Sequence, residues 1–126
     1  GILTVNALVA AGEALVPVEA DVMALAGVVQ ILETIALVNE RLNPRLVLLG
    51  LVVCRFDART RHGREVQERL VERFKHQVMT TVIRENIKLA EAPSFHEPIG
   101  RYDKRSTGAA DYRALAEEVT AHRRKK

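Results

Sequence analysis

Apolar residues along this chain alternate between short unbroken runs and longer stretches with helical spacing. Leu3, Ala7, Leu8 and Ala11 recur at three- and four-residue steps and predict a first helix, with Gly12 as its terminator. Residues 14–18 (ALVPV) read as a short strand, and Pro17 places it near an edge or a bend. From Val22 onward, Leu25, Val28, Val29, Leu32, Ile35 and Ala36 mark an amphipathic helix, stopped by Asn43-Pro44. Asp21 stands where that helix needs an N-cap. Residues 46–54 (LVLLGLVVC) contain no polar side chain, the pattern of a parallel strand covered by helices on both faces.

Val66, Leu70 and Phe74 define the next helix, with Glu65 and Arg69 spaced to pair on its outer side. Residues 78–83 form a third strand. Ile87, Leu89 and Ala90 suggest a short helical turn ending before Pro93. Tyr112, Leu115, Ala116 and Val119 give a terminal helix capped by Ser106 or Thr107, and the tail HRRKK reads as a solvated end. This order implies right-handed crossovers and an α/β fold, a doubly wound parallel sheet with helices on both faces. Three such strands leave an apolar edge unpaired, which further chain before Gly1 or a partner is expected to cover.

Composition narrows the picture. The 126 residues make one domain, and with 4% aromatics the core must be built from Val, Leu, Ile and Ala. The single cysteine, Cys54, excludes an internal disulfide, fits a reducing compartment and is expected inside the core. The histidines lack paired ligand spacing, so no metal site is expected. No apolar stretch approaches the ~20 residues of a membrane span, and no signal peptide is expected. A net charge of +3 is too small to argue for nucleic acid, which needs a local basic surface.

Two loops fall at the carboxyl ends of the last two strands, where open α/β sheets place ligands. Residues 55–64 carry four arginines in ten positions, and the second loop runs from Arg84 through Lys88 to Ser94. Composition alone describes a cationic rim around a crevice, and an arbitrary basic loop is more often just a solvated loop with helix-capping charge.

The wording of these segments is more specific. Thr4-Val5-Asn6-Ala7-Leu8, Asp57-Ala58-Arg59-Thr60, and Asn86-Ile87-Lys88-Leu89-Ala90-Glu91-Ala92-Pro93-Ser94 resemble the ParA/Soj family of chromosome- and plasmid-partitioning ATPases. So do Pro98-Ile99, Tyr102-Asp103, Ser106 and Gly108-Ala109, in the same order and spacing. The resemblance implies a P-loop NTPase type of fold, with residues 1–126 as the C-terminal portion of a single ParA-type domain. Gly1-Ile2-Leu3-Thr4 then resembles the segment just after the Walker B strand. The family hydrolyses ATP with Mg²⁺. Residues 1–126 hold neither the Walker A loop nor the Walker B aspartate, so this chain alone is expected to be inactive and to bind no cofactor.

By the same resemblance Arg84, Glu85 and Asn86 lie beside the adenine. Asn86 matches the family, while Arg84 and Glu85 stand where it usually has Pro and Arg. Asp21 takes the place of a glutamate that approaches nucleotide on the opposite subunit. Nonspecific DNA binding would fall to Arg59 and Lys88, with Arg61 and Arg64 widening the patch. The implied partners are nonspecific DNA, a ParB/Spo0J-type protein and a second copy in an ATP-dependent homodimer, with no membrane. The implied location is the cytoplasm, at the nucleoid. Phe95-His96-Glu97 departs from the family's small and basic residues before Pro98 and lacks its glycine. Two other readings are a non-catalytic DNA- or partner-binding protein retaining only the C-terminal half, and a MinD-like positioning ATPase. The latter ends in an amphipathic membrane helix, whereas HRRKK brings charge without an apolar face.

Overall fold

The computed structural model describes residues 2–21 and 23–124. Val22, read as the start of the second helix, lies outside the described residues, as do Gly1 and the tail residues Lys125 and Lys126. Three strands, β1 (Glu13–Glu19), β2 (Val47–Phe56) and β3 (Val78–Arg84), form a parallel sheet in that order. The helices are α1 (Ile2–Ala10), α2 (Ala24–Arg41), α3 (Arg61–Phe74), α4 (Ile87–Glu91), α5 (Ile99–Tyr102) and α6 (Thr107–Arg124).

Successive crossovers of one hand put α2 and α3 on the same face. There Ala24, Val28, Val66, Leu70 and Phe74 pack over Val18, Leu51, Val53 and Phe56. At the amino end of that layer, Leu8 of α1 meets Ile35, Val38 and Leu46. On the opposite face Leu115 of α6 packs over Val52, Met79 and Ile83. The apolar run of the central strand is therefore covered from both sides, as its composition implies. Among the described residues no helix is long and apolar enough to cross a membrane.

The strand β2 is not a regular pleat. Ala14 pairs with Leu48 but Leu15 with Gly50, so Leu49 is an extra residue in β2. Cys54 pairs with Ile83 and Phe56 with Arg84, so Arg55 is a second one. Each bulge resets the alternation of side chains. Leu48, Leu51, Val53 and Phe56 all reach the α2 side, while Leu49, Val52 and Cys54 reach α6. A strict period of two would have turned Phe56 away from the α2 side.

The open edge of β3 is handled by a side chain. Between Val78 and Val82 this strand advances four residues while β2 advances two, from Leu51 to Val53. The backbone N–H groups of Thr80 and Thr81 donate to the Glu118 carboxylate of α6, at 2.7 and 2.8 Å. Pro17 lies on β1, the other outer strand of the described sheet.

Several local expectations are corrected. Gly12 does not close α1 in a left-handed conformation, since among the described residues no glycine has positive φ. The buried side chain of Asn43 does the work instead, donating to the carbonyls of Leu8 (3.1 Å) and Ala11 (2.7 Å). Glu65 pairs with Arg61 at 2.9 Å and not with Arg69. Asp21 is not the N-cap of α2. Its Oδ1 accepts from the N–H of Met23, the residue before the helix, at 2.9 Å, which makes a turn leading into it. Ser106 does cap α6, accepting from the Ala109 N–H at 3.0 Å.

Removing the Asn43 carboxamide is expected to be costly. In Asn43→Ala both carbonyls lose their donor, for about 1–3 kcal/mol in a denaturant melt. Asn43→Asp, nearly the same shape, should be no better, because a carboxylate cannot donate. A variant as stable as wild type would show that water replaces the amide.

Candidate functional site

The carboxyl ends of β2 and β3 open onto a crevice of about 630 Å³, within the size range of small-molecule sites. Cys54, Ile83, Leu89 and Tyr112 give it apolar walls, and Arg55, Arg84, Glu85 and Asn86 supply the polar rim. The three residues read as lying beside the adenine, Arg84, Glu85 and Asn86, are thus brought together. Asp21, read as approaching nucleotide on the opposite subunit, lies in a separate depression between β1 and α2.

The crevice owes its shape to a few local decisions. Arg55, the extra residue of the second bulge, has φ of 53°, a left-handed conformation that an arginine adopts at some cost. Freed from the pleat, its guanidinium reaches Glu19 at the end of β1 (3.4 Å) and Glu85 after β3 (3.8 Å), so one side chain spans all three strand ends. These pairs are solvent-exposed and contribute at most ~1 kcal/mol each. Arg84 is held more firmly. Asp111 at the start of α6 accepts from its backbone N–H (2.9 Å), its Nε (3.1 and 3.2 Å) and its Nη2 (2.8 Å).

Asn86 caps α4, its Oδ1 accepting from the Lys88 N–H at 2.7 Å, while its amide donates to Thr107 Oγ1. The side chain still presents one donor and one acceptor. Leu89 is pressed in place by Gly108, where a Cβ would stand 2.6 Å from Leu89 Cγ. Only glycine lets α6 approach α4 so closely. Cys54 is half-buried on the crevice wall and not inside the core as expected. Burial raises the thiol pKa, aided by the charge of Glu19 and opposed by a hydrogen bond involving Val18, so the thiolate is scarce at neutral pH.

A second group of candidates lies on the loop after β2. Thr60 caps α3, accepting from the Gly63 N–H at 3.1 Å, and this fixes Asp57 and Arg59 ahead of it. Arg59 forms a fork with Asp57, Nε to Oδ1 and Nη2 to Oδ2, both at 3.0 Å. The side-chain and backbone hydrogen bonds from Arg59 hold the Asp57 carboxyl below the usual range. Arg61 faces Glu65, and Arg64 donates to the Ala58 carbonyl. Lys88 lies 3.5 Å from Glu91.

Beyond α4 the chain continues through a 3-10 turn, Ala92–Phe95, past the Pro93 expected to end it. Proline is tolerated there because the first turn needs no N–H from it. His96 follows in the left-handed conformation, φ 55° and ψ 35°, that a glycine would adopt without strain. Neither α5 nor the Arg84–Asp111 pair was foreseen. Four residues are too few to show a period, and a contact between positions 27 apart leaves no local trace.

The fold is an α/β parallel sheet of the P-loop NTPase type. It resembles cobyrinic acid a,c-diamide synthase from Mycobacterium smegmatis, solved with bound ADP and magnesium and with a bound ATP analog and magnesium. The TM-score is 0.75 at 31% identity, over 98% of this chain and 43% of that one. A family model described as an AAA domain matches residues 1–48. In sequence the chain is similar to the Soj/ParA chromosome-partitioning ATPases. It is 48% identical over 119 residues to the chromosome-partitioning ATPase Soj of Thermus thermophilus. It is 43% identical over 122 residues to the sporulation initiation inhibitor protein Soj of Bacillus subtilis. The chromosome partitioning protein ParA of Myxococcus xanthus is 40% identical over 119 residues. These matches cover 94–97% of this chain but 42–48% of the relatives, so the chain spans about half their length.

Proposed function

We propose that this chain supplies the base end of the nucleotide site and the DNA-facing surface of a Soj/ParA-type partitioning ATPase. In this reading ATP and Mg²⁺ drive homodimerisation, the dimer holds DNA without sequence preference, and a ParB-type partner stimulates release. The protein then works in the cytoplasm, on the nucleoid. The crevice at the strand ends is the observation that carries the reading, because its residues suit a purine. Asn86 keeps one donor and one acceptor, the complement of the amino group and ring nitrogen on adenine's pairing edge. Tyr112 and Leu89 offer apolar surface to the faces of the ring. None of these residues would hold the triphosphate or the metal.

Arg59, Lys88, Arg61 and Arg64 suit phosphate contact, being long, charged and on exposed loops or helix ends. In the intact protein with ATP and Mg²⁺, Arg59→Ala and Lys88→Ala should each weaken duplex binding equally on any sequence. Each should lower the slope of log affinity against log salt by at most about one. Asn86→Ala should weaken ATP binding without altering the melting curve of the nucleotide-free protein beyond the loss of a cap, about 1 kcal/mol. Unchanged nucleotide affinity in Asn86→Ala would remove the base from this crevice.

A further inference from the structure

We propose that the end of α5 and the loop after it, carrying Arg101, Lys104 and Arg105, form the principal phosphate-gripping part of the DNA surface. The inference rests on the DNA-binding reading above and changes which residues dominate it. Its starting point is that three of the four cations assigned to DNA already face a carboxylate. Arg59 is forked to Asp57, Arg61 lies 2.9 Å from Glu65, and Lys88 lies 3.5 Å from Glu91. A phosphate arriving at such a cation displaces a resident anion and sets free little bound salt. A phosphate arriving at an unpaired cation releases a condensed counterion in full.

Arg101, Lys104 and Arg105 are all exposed, and among the described residues none has a carboxylate within ion-pairing distance. The nearest acid in sequence, Asp103, accepts instead from the backbone N–H of Arg105 at 3.2 Å. Arg113 donates to the Lys104 carbonyl at 3.0 Å, which stiffens the loop and adds a fourth cation beside it. The three side chains border an open concave surface of about 740 Å³ together with Pro98, Gly100, Tyr102 and a single acid, Asp103.

This surface meets one of the earlier candidates, Lys88. A single oxygen of Glu91, Oε2, takes both the Tyr102 hydroxyl (2.9 Å) and the Lys88 ammonium (3.5 Å). The end of α5, which leads into the loop, therefore lies beside Lys88. Charge, reach and an open shape suit the sugar-phosphate backbone of a duplex, and nothing in the loop is arranged to read base edges.

The test uses the intact protein with ATP and Mg²⁺, a labelled duplex of arbitrary sequence and a salt titration. Arg101→Gln, Lys104→Gln and Arg105→Gln combined should lower the salt slope by about two to three, more than the Arg59→Ala, Lys88→Ala pair. Each single replacement should take away about one, which keeps the test valid if the triple variant melts early. Arg41→Gln with Arg45→Gln, exposed cations at the amino ends of the strands, should leave the slope unchanged. A triple variant that binds like wild type, while the Arg59, Lys88 pair fails, overturns this inference and leaves the DNA reading standing. Equal losses in the triple variant and the Arg41, Arg45 control also overturn it. A wild-type protein that holds no duplex at any salt removes both. Should the triple variant lose only a wild-type attachment to phosphatidylglycerol vesicles, the loop serves lipid and the inference is wrong.

Discussion

Glu118→Ala is expected to destabilise the fold by about 2–4 kcal/mol, because two backbone N–H groups of β3 lose a charged acceptor together. The Glu118 side chain is only 16% exposed, so water replaces it poorly. The effect should depend on pH. Partial burial works against the charge, but hydrogen bonds from Thr81 and Thr80, with His122 nearby, hold the carboxyl below its usual range. A carboxyl that titrates lower when folded contributes in full above about pH 4.3 and fades as the pH falls further. Glu118→Gln retains the shape and one acceptor but cannot titrate. Its stability gap to wild type should therefore be widest near neutrality and close in acid. A gap constant from pH 7 to pH 3 would show that the charge is not what holds the strand.

Asp111→Ala should cost about 2–3 kcal/mol. It removes the acceptor of the Arg84 backbone N–H and strips the buried end of a multiply bonded ion pair. The upper values for broken buried pairs do not apply, since the Arg84 side chain is 47% exposed and can turn to water. Asp111→Asn keeps an acceptor and should lose about half as much. Because Arg84 then moves freely at the rim of the crevice, ATP binding by the intact protein should weaken in step with the loss. Denaturant melts paired with nucleotide titrations check both, and a melt unchanged in Asp111→Ala would mean that Arg84 stands without its partner.

The elements were legible where burial is periodic or continuous. Leu46 to Cys54 without a polar residue announced a central parallel strand, and Val66, Leu70 and Phe74 announced α3. What stayed hidden has a common cause. An unbroken apolar run has no polar positions to report which face each residue takes, so the bulge at Leu49 left no mark, and the one at Arg55 falls where the run simply reads as ended. The crevice was placed through strand order and the likeness of Asn86 and its neighbours to a family. Its geometry depends on distant partners, Asp111 for Arg84 and Thr107 for Asn86. Asn43 likewise reads locally as a helix stop, whereas its amide serves carbonyls 32 and 35 residues earlier.

The extra residue at Leu49 bears on which changes in length this sheet can absorb. Inserting or deleting one residue in a regular strand turns every residue beyond it over, sending core side chains to the wrong face. At Leu49 the opposite holds. Without it, Leu48, Gly50 and Leu51 would fall into plain alternation with their present faces kept, Leu48 and Leu51 toward α2 and Gly50 toward Met79. Drift in chain length is usually confined to loops, yet here the central strand carries a position where a single-residue deletion preserves the facing of its neighbours and forfeits one leucine's contacts with the α6 layer.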